Sequence, residues 1–154
     1  MMGKTHFLFG LIVGIMSISL LNPSNPYIFL FVVALFSIIP DIDSKNSILG
    51  KRTKIFAWLM NHRGLFHSLI MLAAFSVAGF VLFGQEIGLA VFLGYASHLF
   101  LDLLTKQGIY PIYPFHHFHI RGFIKTNRIT EHVIMFFMFA VLIFILLINK
   151  NIFI

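Results

Sequence analysis

Apolar residues in this chain come in long runs, and polar residues gather between them. The first run extends from His6 to Leu21 and stops at Asn22-Pro23-Ser24-Asn25-Pro26, a composition that predicts a tight turn. The second runs from Tyr27 to Ile39 and is ended by Pro40. A polar, basic connection follows from Asp41 to Asn61, with Trp58 near its end. A third run covers Leu65 to Phe83, and Gly84-Gln85-Glu86 predicts a short turn. A fourth covers Ile87 to Leu104, and a second polar segment spans Lys106 to Thr130. The last run is Glu131 to Ile148. Runs of this length and continuity predict helices, five in all, with no internal repeat.

Composition turns five apolar helices into a membrane reading. Of 154 residues, 59% are hydrophobic and 10% are charged, whereas soluble domains are roughly 45–50% apolar and about 25% charged. Mean hydropathy is +0.95. We therefore expect a single membrane-embedded all-α domain over 1–154, a polytopic helical bundle. The first two runs are short against the roughly 20 residues that cross a bilayer, so they are expected as a hairpin shielded by other helices or thinning the bilayer. The first run lacks a small-residue cleavage site and is expected to be retained, not removed as a signal peptide. The absence of cysteine excludes disulfides and thiolate metal sites.

The net charge of +6 is distributed unevenly. Lys4, the Asp41–Arg63 stretch and the Lys106–Arg128 stretch hold nearly all the basic residues, and the two short turns hold none. The positive-inside rule then places the amino terminus and both long connections in the cytoplasm. Nucleic-acid binding is not expected, because the cations are split between two juxtamembrane segments without a helix-turn-helix or zinc-finger pattern.

On that topology the few ionisable residues of the apolar runs share one depth. His6 opens the first helix, Asp41 and Asp43 follow the second, His62 and His67 open the third, His98 and Asp102 close the fourth, and Glu131 opens the fifth. Ionisable groups at membrane depth are functional suspects by default. Imidazole with carboxylate and without sulfur suits zinc, manganese or iron. His98 and Asp102 are four apart and share a helix face. His62 and His67 are about 140° apart on an α-helix, so they share an ion only if His62 precedes the first turn. The expected metal set is His6, Asp41, His62, His67, His98 and Asp102, at the cytoplasmic end of the bundle, with either Asp41 or Asp43 able to serve as ligand. His116, His117, His119 and His132 are expected on the surface.

Thr5-His6-Phe7-Leu8, Pro40-Asp41-Ile42-Asp43-Ser44, Leu49-Gly50-Lys51-Arg52, His62-Arg63-Gly64-Leu65-Phe66-His67-Ser68 and Gly94-Tyr95-Ala96-Ser97-His98-Leu99-Phe100-Leu101-Asp102 resemble the YdjM-type inner-membrane proteins over nearly the whole chain. These are described as membrane-bound, metal-dependent hydrolases, some of them LexA-regulated. The layout is also similar to the zinc-dependent phospholipase C and P1-nuclease group. That resemblance implies ligand roles for His6, one of the two aspartates, His67 and the His98/Asp102 pair. Glu131 is the single match to a late His-and-Glu pair, which implies one or two ions, not three.

The resulting expectation is a hydrolase of the bacterial inner membrane. It would use a divalent metal, most simply zinc, on a lipid phosphoester at the cytoplasmic surface. Asp43 or Glu131 would orient or deprotonate water. Arg63 would clamp a phosphate oxygen, and Lys45, Lys51 and Arg52 would hold an anionic headgroup. A lipid amide or ester hydrolase needs the same metal chemistry on a carbonyl. A metal-binding or transport protein is a further alternative, although transporters place ligands near the bilayer midplane. Oligomeric state is open.

Overall fold

The computed structural model describes residues 1–43 and 65–148, with the side chains of Ile42 and Asp43 outside that set. Among the described residues five α-helices carry the fold: α1 (Gly3–Leu21), α2 (Pro26–Phe36), α3 (Leu69–Phe83), α4 (Gln85–Leu103) and α5 (Ile129–Ile148). Two single-turn 3-10 segments, Ile39–Asp43 and Leu65–His67, flank the gap between α2 and α3. Among the described residues there is no strand, only isolated bridges at Thr105–Ile124 and Ile109–Ile120. The five-helix expectation is met, with shifted ends.

The ends follow from local chemistry. Pro26 occupies the first turn of α2, where its missing N–H costs nothing, and the Asn25 side chain accepts from Ile28 N at 3.0 Å. Ser68 caps α3 in the same way, accepting from Met71 N. That cap leaves His67 outside the helix, in the preceding turn, where a continuous helix from Leu65 was expected. Gly84 alone links α3 to α4, at φ 89°, a conformation a Cβ would strain.

α4 is the central helix and packs against α1, α2 and α3. Close approach to α2 depends on Gly94, where an added Cβ would lie 2.4 Å from the Val33 carbonyl oxygen. Phe29, Val33, Ala90 and Ile18 form one core cluster, and Leu72, Tyr95, Leu99 and Ile109 another. α5 packs mainly on α1, and its Ile134 and Met138 also meet the cluster of Met1, Leu101 and Ile124. It is the most apolar of the three long helices, yet Glu131 and Leu142 are its only buried residues. Its Phe136, Phe137 and Phe144 stand exposed, a surface that lipid satisfies and water does not. By length and composition α1, α4 and α5 can each cross a membrane, while α2 and α3 are shorter. At one end of the bundle Glu86 accepts from the Ser24 backbone N–H and hydroxyl, tying the α1–α2 turn to the start of α4. The ionisable cluster lies at the opposite end.

Candidate metal centre

Four separate elements deliver side chains to one buried point. α1 supplies His6 from its first turn, the Ile39–Asp43 turn supplies Asp41, the Leu65–His67 turn supplies His67, and the last turns of α4 supply His98 and Asp102. His6, His67, His98 and Asp102 are fully buried, and the Asp41 side chain is 12% exposed. The turn carrying His67 is anchored from both sides. Tyr95 Oη donates to the Phe66 carbonyl at 2.7 Å, and Leu69 N donates to the Pro111 carbonyl at 2.9 Å.

The donor atoms stand at, or a few tenths of an ångström beyond, the separations a bound ion sets. His67 Nε2 lies 3.3 Å from His98 Nε2, 3.4 Å from Asp102 Oδ2 and 3.8 Å from Asp41 Oδ1. His98 Nε2 lies 3.8 Å from Asp102 Oδ2 and 3.9 Å from Asp41 Oδ1. Ligands about 2.0–2.2 Å from a tetrahedral ion are roughly 3.3–3.6 Å from one another. The other face of the Asp102 carboxylate looks toward α1. Its Oδ1 is 3.4 Å from His6 Nε2 and accepts from the Met1 amino nitrogen. The His6 ring stacks on His98 with centroids 3.8 Å apart. His98 is therefore shared by two overlapping sets, His6 with His98 and Asp102, and Asp41 with His67 and His98, while the two oxygens of Asp102 face His6 on one side and His67 on the other.

The orientation of His98 is decided by α2. Its Nδ1 lies 2.8 Å from the Ser37 carbonyl oxygen, which can only accept, so Nδ1 carries the hydrogen and Nε2 keeps its lone pair. An imidazole whose far nitrogen donates to a carbonyl while the near one faces a cluster is the usual support of a metal-ligating histidine. His6 is buried with neither ring nitrogen in hydrogen-bond geometry, which costs free energy without another partner. Two buried carboxylates also call for positive charge; the Met1 ammonium on Asp102 supplies part of it, and a divalent ion would balance the rest. The donor chemistry therefore fits a metal ion. At Asp41, burial alone would raise the pKa. The His67 ring beside it and the nearby His98 and His6 rings favour the charged form, and hold the carboxyl well below the usual carboxylate range.

Five of the six expected ligands thus come together: His6, Asp41, His67, His98 and Asp102. His62 lies outside the described residues, as do Arg63 and the cations Lys45, Lys51 and Arg52. The turn places Asp43 two residues past Asp41, but its side chain falls outside the description. Glu131 stands apart from its expected role as a water-orienting base. Buried completely, it accepts from Met2 N at 2.5 Å, Thr5 Oγ1 at 3.2 Å and Asn127 N at 2.6 Å. Its carboxylate clasps the start of α1 to the loop before α5. His116, His117 and His132 are exposed, as expected, and His119 stacks on Tyr110. Sequence reading passed over the Ser37 carbonyl and the Met1 amine. A backbone carbonyl carries no residue-type signal, so nothing in the sequence could have pointed to Ser37.

Comparison with known proteins identifies the family. The chain is 28% identical to the uncharacterized protein YvsG of Bacillus subtilis over 141 residues, 88% of each chain. It is 34% identical to the inner membrane protein YdjM of Escherichia coli over 88 residues, which is 50% of this chain and 44% of that protein, and the Shigella flexneri YdjM matches equally. No solved structure matches. The family model described as YdjM inner membrane protein matches residues 1–153. A chain of apolar helices with a His/Asp cluster at one end of the bundle is thus, from end to end, a member of the YdjM inner membrane protein family.

Proposed function

We propose that this chain is a membrane-bound, metal-dependent hydrolase acting on a lipid phosphoester at the cytoplasmic membrane surface. One observation supports it above the others. Three imidazoles and two carboxylates from four elements meet at 3.3–3.9 Å, with His98 Nδ1 held by the Ser37 carbonyl. His67, His98, Asp41 and Asp102 would hold one ion, and His6 with the far oxygen of Asp102 would contribute to a second. A bound divalent ion, zinc by donor type with manganese or iron as alternatives, would supply Lewis-acid polarisation of the ester and a water acidified toward neutral pH.

The chain's own residues do the rest. Burial of His6, His67, His98 and Asp102 excludes bulk water and strengthens every charge interaction among them. Asp41 is the partly exposed member, so substrate approaches from its side; in sequence Asp43 follows Asp41 by two residues and Arg63 precedes His67 by four. Asp43 would accept the proton of the attacking water, and Arg63 would hold a phosphate oxygen. Glu131 acts on the site through α1, by holding Thr5 and with it His6. The basic residues of both long connections favour a phosphoester over a lipid amide or ester, and by the positive-inside rule they support a cytoplasmic site.

Metal content of purified wild type, His67→Ala and Asp102→Ala is the direct test. Both variants are expected to insert in the membrane and to lose metal. Full occupancy in both removes the site. Hydrolysis is then assayed on phosphatidyl and isoprenyl phosphoesters beside lipid amides and carboxylic esters. Turnover of the amide or ester alone rejects the phosphoester substrate, and stoichiometric metal with no turnover of any class leaves a metal-binding membrane protein.

A further inference from the structure

A second polar site lies away from the His/Asp cluster and uses none of its residues. The chain leaving α4 runs beside the chain entering α5. Lys106 N donates to the Ile124 carbonyl at 2.9 Å, and Thr105 bridges Ile124. This pairing sets Lys106 alongside Lys125, and Arg128 closes the group one residue before α5. The three cations line an open cleft of about 1140 Å³, and no acidic side chain lines it among the described residues. The remaining wall includes Asn127, Thr130 and His132, and its apolar part includes Phe123, Ile129 and Val133, all exposed. It continues into the bare outer face of α5 at Phe136 and Phe137.

We infer that this cleft binds an anionic phospholipid, with the headgroup phosphate among Lys106, Lys125 and Arg128 and an acyl chain along α5. Two features select this occupant. Three like charges without an acidic neighbour repel one another unless an anion joins them. An apolar wall running directly onto a lipid-facing helix gives a free inorganic anion nothing to bind, whereas a lipid fills both halves. Basic juxtamembrane groups draw anionic headgroups in this manner. The site would fasten the most loosely packed helix to the bilayer, whatever the reaction at the cluster.

The test uses the full chain in nanodiscs of equal phosphatidylglycerol and phosphatidylcholine, with native mass spectrometry reading the lipid retained on release. Wild type is expected to retain phosphatidylglycerol in preference. The triple variant Lys106→Gln, Lys125→Gln, Arg128→Gln should lose that preference by roughly tenfold or more. The variant Lys106→Arg, Lys125→Arg, Arg128→Lys should keep it. Metal content measured on the same samples should not change, which separates failure here from failure of the hydrolase reading. The single variant Lys125→Gln, at an exposed position, gives a partial loss should the triple variant not fold. Equal retention in wild type and the Gln variants overturns the inference. So does full displacement of the lipid by inorganic phosphate, or by an acidic peptide, at constant ionic strength.

Discussion

Replacing Glu131 distinguishes a clasp from a base. Its carboxylate is fully buried and accepts three hydrogen bonds, two at Oε1 from Met2 N and Thr5 Oγ1, and one at Oε2 from Asn127 N. Hydrogen bonds to charged groups contribute about 1.5–3 kcal/mol each, and stranding a buried donor costs about 1–3 kcal/mol. Glu131→Gln keeps the Oε1 acceptor but turns an amide N–H toward Asn127 N–H, so it should cost about 1.5–3 kcal/mol. Glu131→Ala strands all three donors. Asn127 is exposed and water can reach it, so about 3 kcal/mol is a reasonable total, or roughly 6–12 °C in thermal midpoint for a chain of this size. Thr5 precedes His6 directly, so the loosened α1 turn should also weaken metal binding by about tenfold or more, as loss of outer-shell support usually does. Thermal unfolding in detergent and metal titration on the same samples read both effects. A Glu131→Ala protein with an unchanged midpoint and unchanged metal affinity, but no turnover, would refute the clasp and restore the base.

Three further outcomes follow from the packing around the cluster. In Gly10→Val the new Cβ would fall 2.4 Å from Ser37 Cβ. The end of α2 must then shift, at about 1–3 kcal/mol, and the Ser37 carbonyl moves off His98, so metal content should fall although no ligand has changed. Tyr95→Phe removes the 2.7 Å bond to the Phe66 carbonyl. It should cost about 1–3 kcal/mol and weaken metal binding by loosening the His67 turn, while the nearby Ser76→Ala, whose hydroxyl bonds within α3, should leave metal affinity unchanged. Chelation should lower the thermal midpoint of wild type, and readdition at about 100 times the dissociation constant should restore about 2.7 kcal/mol. The Asp102→Ala protein should respond to neither treatment.

What could be read along the chain were the features that depend on near neighbours. Helix number and position follow from the apolar runs, and the stops at Asn25-Pro26 and Gly84 follow from cap and turn chemistry acting within three or four residues. The pairing of His98 with Asp102 follows from helical spacing alone, and the choice of histidine and aspartate at one depth already named the class of ligand. Tertiary structure decided what spacing could not. The Tyr95 hydroxyl on the Phe66 carbonyl and the Pro111 carbonyl on Leu69 N hold the His67 turn from distant parts of the chain, so its ring points by the path of a turn and not by a helical period. Asp102 became the shared carboxylate because α1 and the His67 turn approach its two oxygens from opposite sides. Glu131, expected at the chemistry, went to the Met2 and Thr5 donors that α1 brings from the far end of the chain. The reason is common to all three. Caps and periodicities are set by covalent proximity, whereas a donor–donor distance of 3–4 Å between residues tens of positions apart is set by how close whole helices can come, and that rests on packing at places such as Gly10 and Gly94.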